Sequence, residues 1–476
     1  MHRLFAMSEG KLKEKLLDIA EKLQDKTRKL TFCIAGGSDD RLMRFLKSVP
    51  EAAPLVIIDQ SRIESSSTLR KRLLSSVAEN QNWSVLYLED RLELVSRLAA
   101  NGLPRKALTS LLGEFAWQQT NVGQARNLAL SITGSETAVL SDDDIAWFGA
   151  RTHGITLDPA GQLGKSQWQF QACANLDEAL SELEFEAIDF SRLYSQAFGD
   201  NPAVDFVRPS IAGGTTLNSC AKKIFSPAWL EGGLIDRFED LADTRIARRI
   251  VNNAAIASMG GHTGTQYGIN CARGSVPEFA AFKSQDSIWA LQMEKFLGNA
   301  TELHLPLAIF HPPRGGVHRN SILRDIGTFQ LEVADIIRSL LATSLHDQNS
   351  GSGCAGQASG LRAMLGPRRD ASDFRELVAQ RLRETYIALK RNTGFLRDRF
   401  AQSSEVSGRL FESLEFFSNR VDRLVSEIES GAKIEFSDFE LSQRDHCEHL
   451  HEQLHAHADA LEIWDEVVAR VSNVDL

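Results

Sequence analysis

Four short apolar runs, each ending in small or acidic residues, constrain this chain more than anything else in it. Residues 30–35 run into Gly36, Gly37 and Ser38; residues 54–58 into Asp59, Gln60 and Ser61; residues 83–88 into Glu89 and Asp90; residues 137–140 into Ser141, Asp142, Asp143 and Asp144. Continuous apolar runs of this length suit strands covered on both faces. The segments between them are helix-length and of mixed polarity, which predicts crossover units and an α/β fold around a mixed, mostly parallel sheet. Open sheets of this kind bind ligands at the carboxyl ends of their strands, where these acidic residues fall. Two carboxylates alternating through one residue, Asp142 and Asp144, can hold a hard divalent ion whose other positions go to water and diphosphate oxygens. The plainer alternative is an acidic surface turn.

A second element stands just upstream. Asn121, Val122, Gly123, Gln124, Ala125, Arg126, Asn127, Leu128, Ala129 and Leu130 read as a glycine turn opening a helix that ends before the Asp-rich strand. Together the two elements resemble glycosyltransferase family 2 and its relatives with the GT-A (Rossmann-like) fold, in which such an Ala-Arg-Asn helix precedes a strand ending in Asp-x-Asp. The resemblance covers residues 30–325. It implies a nucleotide-sugar donor, most simply a UDP-sugar, with its diphosphate on Mn²⁺ or Mg²⁺ held by Asp142 and Asp144. It also implies donor contacts from Asp143, from Arg126 to phosphate or uracil, from Asp59 to the base, and from Gly213 and Gly214 to the sugar. Asp286, opening an amphipathic segment, takes the place of the family's general base in an inverting transfer, with Asp243 as rival. His311, after an apolar strand, takes the place of a third metal ligand, and Arg314, His318 and Arg319 those of further phosphate contacts. Each has an ordinary alternative: a helix-surface arginine at 126, a turn aspartate at 59, a helix cap at 286, a structural histidine at 311.

Several function classes are excluded by what is missing. No Gly-x-Gly-x-x-Gly follows the first strand and no Gly-x-x-x-x-Gly-Lys occurs, so the common phosphate-loop fingerprints are absent. With 53 basic and 63 acidic residues, net charge −10, the chain lacks a general nucleic-acid footprint. Six scattered cysteines read as the reduced thiols of a cytoplasmic protein. No run of about 18 apolar residues predicts a transmembrane segment, and the residues before the first helix are too few for a signal sequence.

The expected organisation is an N-terminal helix (1–29), a catalytic domain (30–343), a flexible Gly/Ser-rich linker (344–372) and a helical region (373–476) that packs on the domain or makes a homo-oligomer. In that region Phe374, Leu377, Val378, Leu382, Tyr386 and Leu389 share one helix face, and Leu410, Leu414, Phe417, Val421, Leu424 and Ile428 another. It also carries His446, His449, His451, His455 and His457. His451 to His455 matches His-Glu-x-x-His, but no third ligand motif follows, and the expectation is adventitious or solvated histidines, with a regulatory or structural metal as the alternative, rather than a protease. The first functional reading is therefore a metal-dependent glycosyltransferase with an unidentified acceptor (protein, peptide or glycan). The alternative is an inactive GT-A-like scaffold working through its helical region; a nucleotidyltransferase is disfavoured by the Ala-Arg-Asn helix.

Overall fold

The computed structural model describes residues 9–24, 26–36, 39–60, 67–113, 122–151, 157–163, 169–214, 246–251, 254–258, 265–273, 276–280, 285–297, 300–312, 331, 333–344, 353–367, 371–401, 408–431, 434, 436 and 446–475. After α1 (Glu9–Leu23) the chain alternates: β1 (Thr31–Ala35), α2 (Asp39–Ser48), β2 (Leu55–Asp59), α3 (Ser67–Glu79) and β3 (Trp83–Leu86). Three helices follow, α4 (Leu88–Ala100), α5 (Arg105–Leu112) and α6 (Val122–Thr133), and then β4 (Thr137–Asp142). These strands lie in the order β3, β2, β1, β4, all parallel. Their side chains divide between two cores. Phe32, Ile34, Val56 and Ile58 join α1, α4, α5 and α6 in one; Cys33, Ala35, Leu55 and Ile57 join α2 and α3 in the other. Burial on both faces is why these runs show no polar alternation. The third run stops as a strand at Leu86, and Glu89 and Asp90 fall in the first turn of α4, where carboxylates complement the helix N-terminus.

The second half of the sheet is more varied. It comprises β5 (Phe148–Arg151), β6 (Leu157–Leu163), β7 (Gln169–Cys173), the short α7 (Leu176–Leu180), β8 (Phe185–Ala187), α8 (Phe190–Asp200), β9 (Phe206–Gly214), β10 (Ile246–Ile250), β11 (Ala254–Ser258), β12 (Gln266–Asn270), α9 (Gln285–Leu297) and β13 (Thr301–His311). β12 runs antiparallel between β4 and β9, and β13 runs parallel to β9, so the 13-stranded sheet is mixed. The α/β architecture expected from the strand spacing is present. Among the described residues no helix is long and apolar enough to cross a membrane.

The regular elements described in the C-terminal part are helices: α10 (Val333–Ser344), α11 (Gly353–Leu365), α12 (Ser372–Ala401), α13 (Gly408–Glu429) and α14 (His446–Ser472). Phe374, Val378 and Leu382 of α12 meet Leu414, Phe417 and Val421 of α13 in a third core, as their spacing predicts. One expectation is corrected. The stretch read as a flexible linker contains α11, in which Cys354, Ala358, Gly360 and Leu361 are buried; small residues permit close helix contact as well as flexibility, and here they pack. The helical region packs on the sheet-bearing part, one of its two expected arrangements. On α14, Cys447, Leu450 and Leu454 enter the helical core, while Leu461, Trp464, Val467 and Val471 enter the sheet-side core with α5 and α6. Arg362 of α11 pairs with Asp459 of α14 (3.1 Å) and with Glu462, tying the two helices together.

Candidate active site

Parallel register brings the sequence-predicted acids to one edge. Ala35 aligns with Asp59 on one side of β1, and Ile34 with Asp142 on the other. Gly36, the next residue, donates its backbone N–H to Asp143 (3.2 Å). Asp142 is anchored from the opposite strand, its N–H donating to the Thr265 carbonyl (2.8 Å). Burial first, and then the nearby Asp143, Asp142 and Asp144, push the Cys33 thiol well above its ordinary range, which makes it a core residue and no nucleophile.

Arg126 is the centre of the arrangement. Its helix α6 is buried along nearly its whole length, and the Arg126 side chain is only 3% exposed. Its guanidinium donates to Asp142 Oδ1 (2.9 Å) and to Asp286 Oδ1. Below it lies the Phe279 ring, whose centroid is 5.3 Å from the guanidinium carbon, within cation–π range. Burial alone would favour a neutral group, but Asp286, Tyr267 and Asp142 outweigh it and hold Arg126 charged. Expected as a phosphate or uracil contact, Arg126 is instead placed between two carboxylates. Its Nε, also buried, has no hydrogen-bond partner among the described residues. Asp286 sits in the first turn of α9, where the helix dipole adds to the attraction for a carboxylate.

His311 closes the edge from β13. Its Nδ1 is 2.6 Å from the Gly214 carbonyl, an acceptor, so Nδ1 carries the proton and Nε2 is turned to Asp144 Oδ2 at 3.6 Å. A backbone carbonyl on one ring nitrogen leaves the other free to serve as a ligand, the usual second contact of a metal-binding histidine. Gly213 faces His311 across the parallel pair, with φ +121°, and a Cβ there would lie 2.2 Å from the His311 carbonyl oxygen. Glycine at 213 therefore permits the close approach of β13 to β9.

Four carboxylates, Asp142, Asp143, Asp144 and Asp286, surround this edge. Burial, reinforced by Asp144 and Asp286, pushes Asp142 up to about 7 against the opposing pull of Arg126. Burial works against a charged His311, but Asp144, the Gly214 carbonyl and Asp142 prevail and raise it above the usual imidazole value. Such crowding of acids fits a cation in charge and ligand type, and Asp142, Asp144 and His311 are the residues that would hold it. As placed, no three His, Cys, Asp or Glu side chains among the described residues form a preassembled metal cage. A two-carboxylate site that leaves the remaining positions to water and ligand needs no such cage.

Other predicted residues fall elsewhere. Asp243, Arg314, His318 and Arg319 lie outside the described residues. Four of the five C-terminal histidines are not solvated, His446, His451, His455 and His457 being at most 5% exposed, while His449 is half-buried. His446 Nδ1 accepts the Phe436 N–H (2.9 Å), and His451 Nε2 meets the Leu365 carbonyl (3.0 Å). Burial demands such partners, which the His-Glu-x-x-His letters do not reveal. Sequence reasoning missed Tyr267 and Phe279, since neither stands in a motif. Compared with known proteins, the chain matches no family model and has no significant match among curated sequences.

Proposed function

We propose that this chain is a metal-dependent glycosyltransferase of GT-A type, moving a sugar from a nucleoside-diphosphate donor to an acceptor hydroxyl with inversion. The observation that carries this reading is the meeting of Asp142, Asp144, Arg126, Asp286 and His311, from four separated segments, at the carboxyl ends of β4 and β13. Asp59 and Gly36 continue the same edge towards β2, where a base and ribose would lie.

In the transfer, the acceptor oxygen forms a bond to the sugar's anomeric carbon as the bond from that carbon to the diphosphate oxygen breaks. The acceptor's proton passes to Asp286, whose carboxylate is the candidate base. A divalent ion bound by Asp142 and Asp144, with His311, would neutralise charge on the departing nucleoside diphosphate. Arg126 keeps Asp142 and Asp286 at a fixed separation by donating to both. Preorganised charge of this kind lowers the barrier without rearrangement at the moment of reaction.

A second reading has one observation in its favour: Arg126 already pairs with both Asp142 and Asp286, as an inactive GT-A-like scaffold would tolerate. A screen of sugar nucleotides for hydrolysis and transfer, with and without Mn²⁺, separates the two. Turnover that needs Mn²⁺ and disappears in Asp286→Asn supports the enzyme; nucleotide binding without turnover of any donor supports the scaffold.

A further inference from the structure

Residues 276–279 belong to no helix or strand, yet each is held by a group from another part of the chain. Trp464 Nε1 of α14 donates to the Val276 carbonyl (2.6 Å), and Trp289 Nε1 of α9 to the Pro277 carbonyl (2.8 Å). His457 Nδ1 of α14 lies 2.8 Å from Glu278 Oε1, and its Nε2 lies 3.1 Å from the Gln292 amide. The Phe279 N–H donates to Asn127 Oδ1 (2.6 Å) and its carbonyl accepts from Asn127 Nδ2 (3.0 Å). Asn127 is the neighbour of Arg126 on α6, and the Phe279 ring lies against the Arg126 guanidinium and stacks on Trp289 (centroids 4.6 Å apart).

Glu278, His457 and Gln292 are each at most 2% exposed. A carboxylate this deep depends on a polar neighbour, and burial does raise the Glu278 carboxyl while His457 opposes that rise. The imidazole of α14 is thus the polar group set against the one acid of residues 276–279.

The geometry points to His457 as a positioning residue for the candidate active site. Through Glu278 it fixes the segment carrying Phe279, and Phe279 fixes Arg126 between Asp142 and Asp286. The C-terminal helix is thus part of the site's support through Glu278, Val276 and the Gln292 amide. The consequence for donor binding rests on the proposed function; the placement of Arg126 does not.

The test uses the full chain labelled with ¹⁵N-arginine, following the Arg126 Nε–Hε resonance, assigned by its loss in Arg126→Lys. His457→Leu removes the donor to Glu278, His457→Asn supplies an amide near the position of Nδ1, and Val471→Ala loosens the same helix away from residues 276–279. His457→Leu is expected to shift or broaden the Arg126 resonance and to weaken UDP binding in Mn²⁺ about tenfold. His457→Asn is expected to restore both, while Val471→Ala lowers the melting temperature without moving the resonance. An Arg126 resonance unmoved in folded His457→Leu, or moved equally by Val471→Ala, overturns the proposal. If His457→Leu does not fold, Phe279→Leu reads the last link, and an unmoved Arg126 resonance there is equally fatal. If the wild-type chain binds no UDP, the functional reading fails while the resonance still decides the positioning role.

Discussion

Two clusters of charge in this molecule look alike in composition and differ in setting. At the carboxyl edge of β4, Arg126 faces Asp142 and Asp286, whose side chains remain 24% exposed. Between α14 and residues 276–280, His457 faces Glu278, with 3% and 1% of their side chains exposed. The first cluster holds more acid than base and is open on one side; the second sets one acid against one imidazole and is sealed. Excess acid held partly open is what a ligand can act on, whereas a closed pair holds elements together. The histidine-rich segment has the more suggestive letters and the less reactive surroundings.

The largest effect expected from this contrast is on folding. Deleting residues 446–476 strips Leu461, Trp464, Val467 and Val471 from the sheet-side core, and the chain is expected to lose its cooperative thermal transition. Trp464→Ala alone should cost about 3–5 kcal/mol. Calorimetry on both variants checks this, and a truncated chain with a full cooperative transition would contradict the shared core.

Next comes the open cluster. Asp286→Asn keeps a polar side chain in the first turn of α9 but removes the proton acceptor. Turnover should fall by roughly 10²–10⁴-fold with donor affinity little changed. Initial rates at saturating donor measure it, and near-normal turnover would remove Asp286 from the base role.

A pH effect separates the clusters further. Asp142 titrates at about 7 in the fold, against an ordinary value near 3.9. A carboxyl raised on folding contributes stability below its unfolded pKa, and the contribution is lost as pH rises through the folded one. In chelator, the Asp142 contribution therefore declines between about pH 4 and pH 8, by about 4 kcal/mol at most. Comparing melting temperatures of wild type and Asp142→Asn across that range tests it: the difference between them should change in that direction, and a constant difference would contradict the assignment.

The smallest effect belongs to the letters that match a metalloprotease motif. His451→Gln with His455→Gln should leave bound metal unchanged and cost only about 1–3 kcal/mol per buried polar group disturbed. Metal analysis of the purified chains and denaturant titration measure the two halves; a stoichiometric loss of zinc would place a metal centre in the sealed region.

Much of the sheet was legible because burial on both faces writes itself as an uninterrupted apolar run, and the ends of β1, β2 and β4 could be read to within a residue or two. Asp142 and Arg126 were legible as site candidates because a strand end and a preceding helix are local features. Their pairing was not, since Arg126 meets Asp286 across 160 positions of chain. Phe279 and Tyr267 were invisible for the same reason: an aromatic residue becomes a platform only through what the fold sets above it. The small-residue stretch around α11 misled because glycine, alanine and serine serve flexible linkers and tight helix contacts alike. The histidines misled because exposure is a tertiary property, decided by α14 lying against α11 and the sheet-side core.

The central claim, that the open acidic edge binds a nucleoside diphosphate through a divalent ion, is tested most directly by titrating UDP into the full chain calorimetrically with Mn²⁺ or with chelator, for wild type and for Asp142→Asn with Asp144→Asn. Wild type is expected to bind at least about tenfold more tightly with Mn²⁺, a difference of about 1.4 kcal/mol, and the double variant to lose that gain while keeping its melting transition. Equal affinity in wild type and variant in the presence of Mn²⁺ would contradict the account.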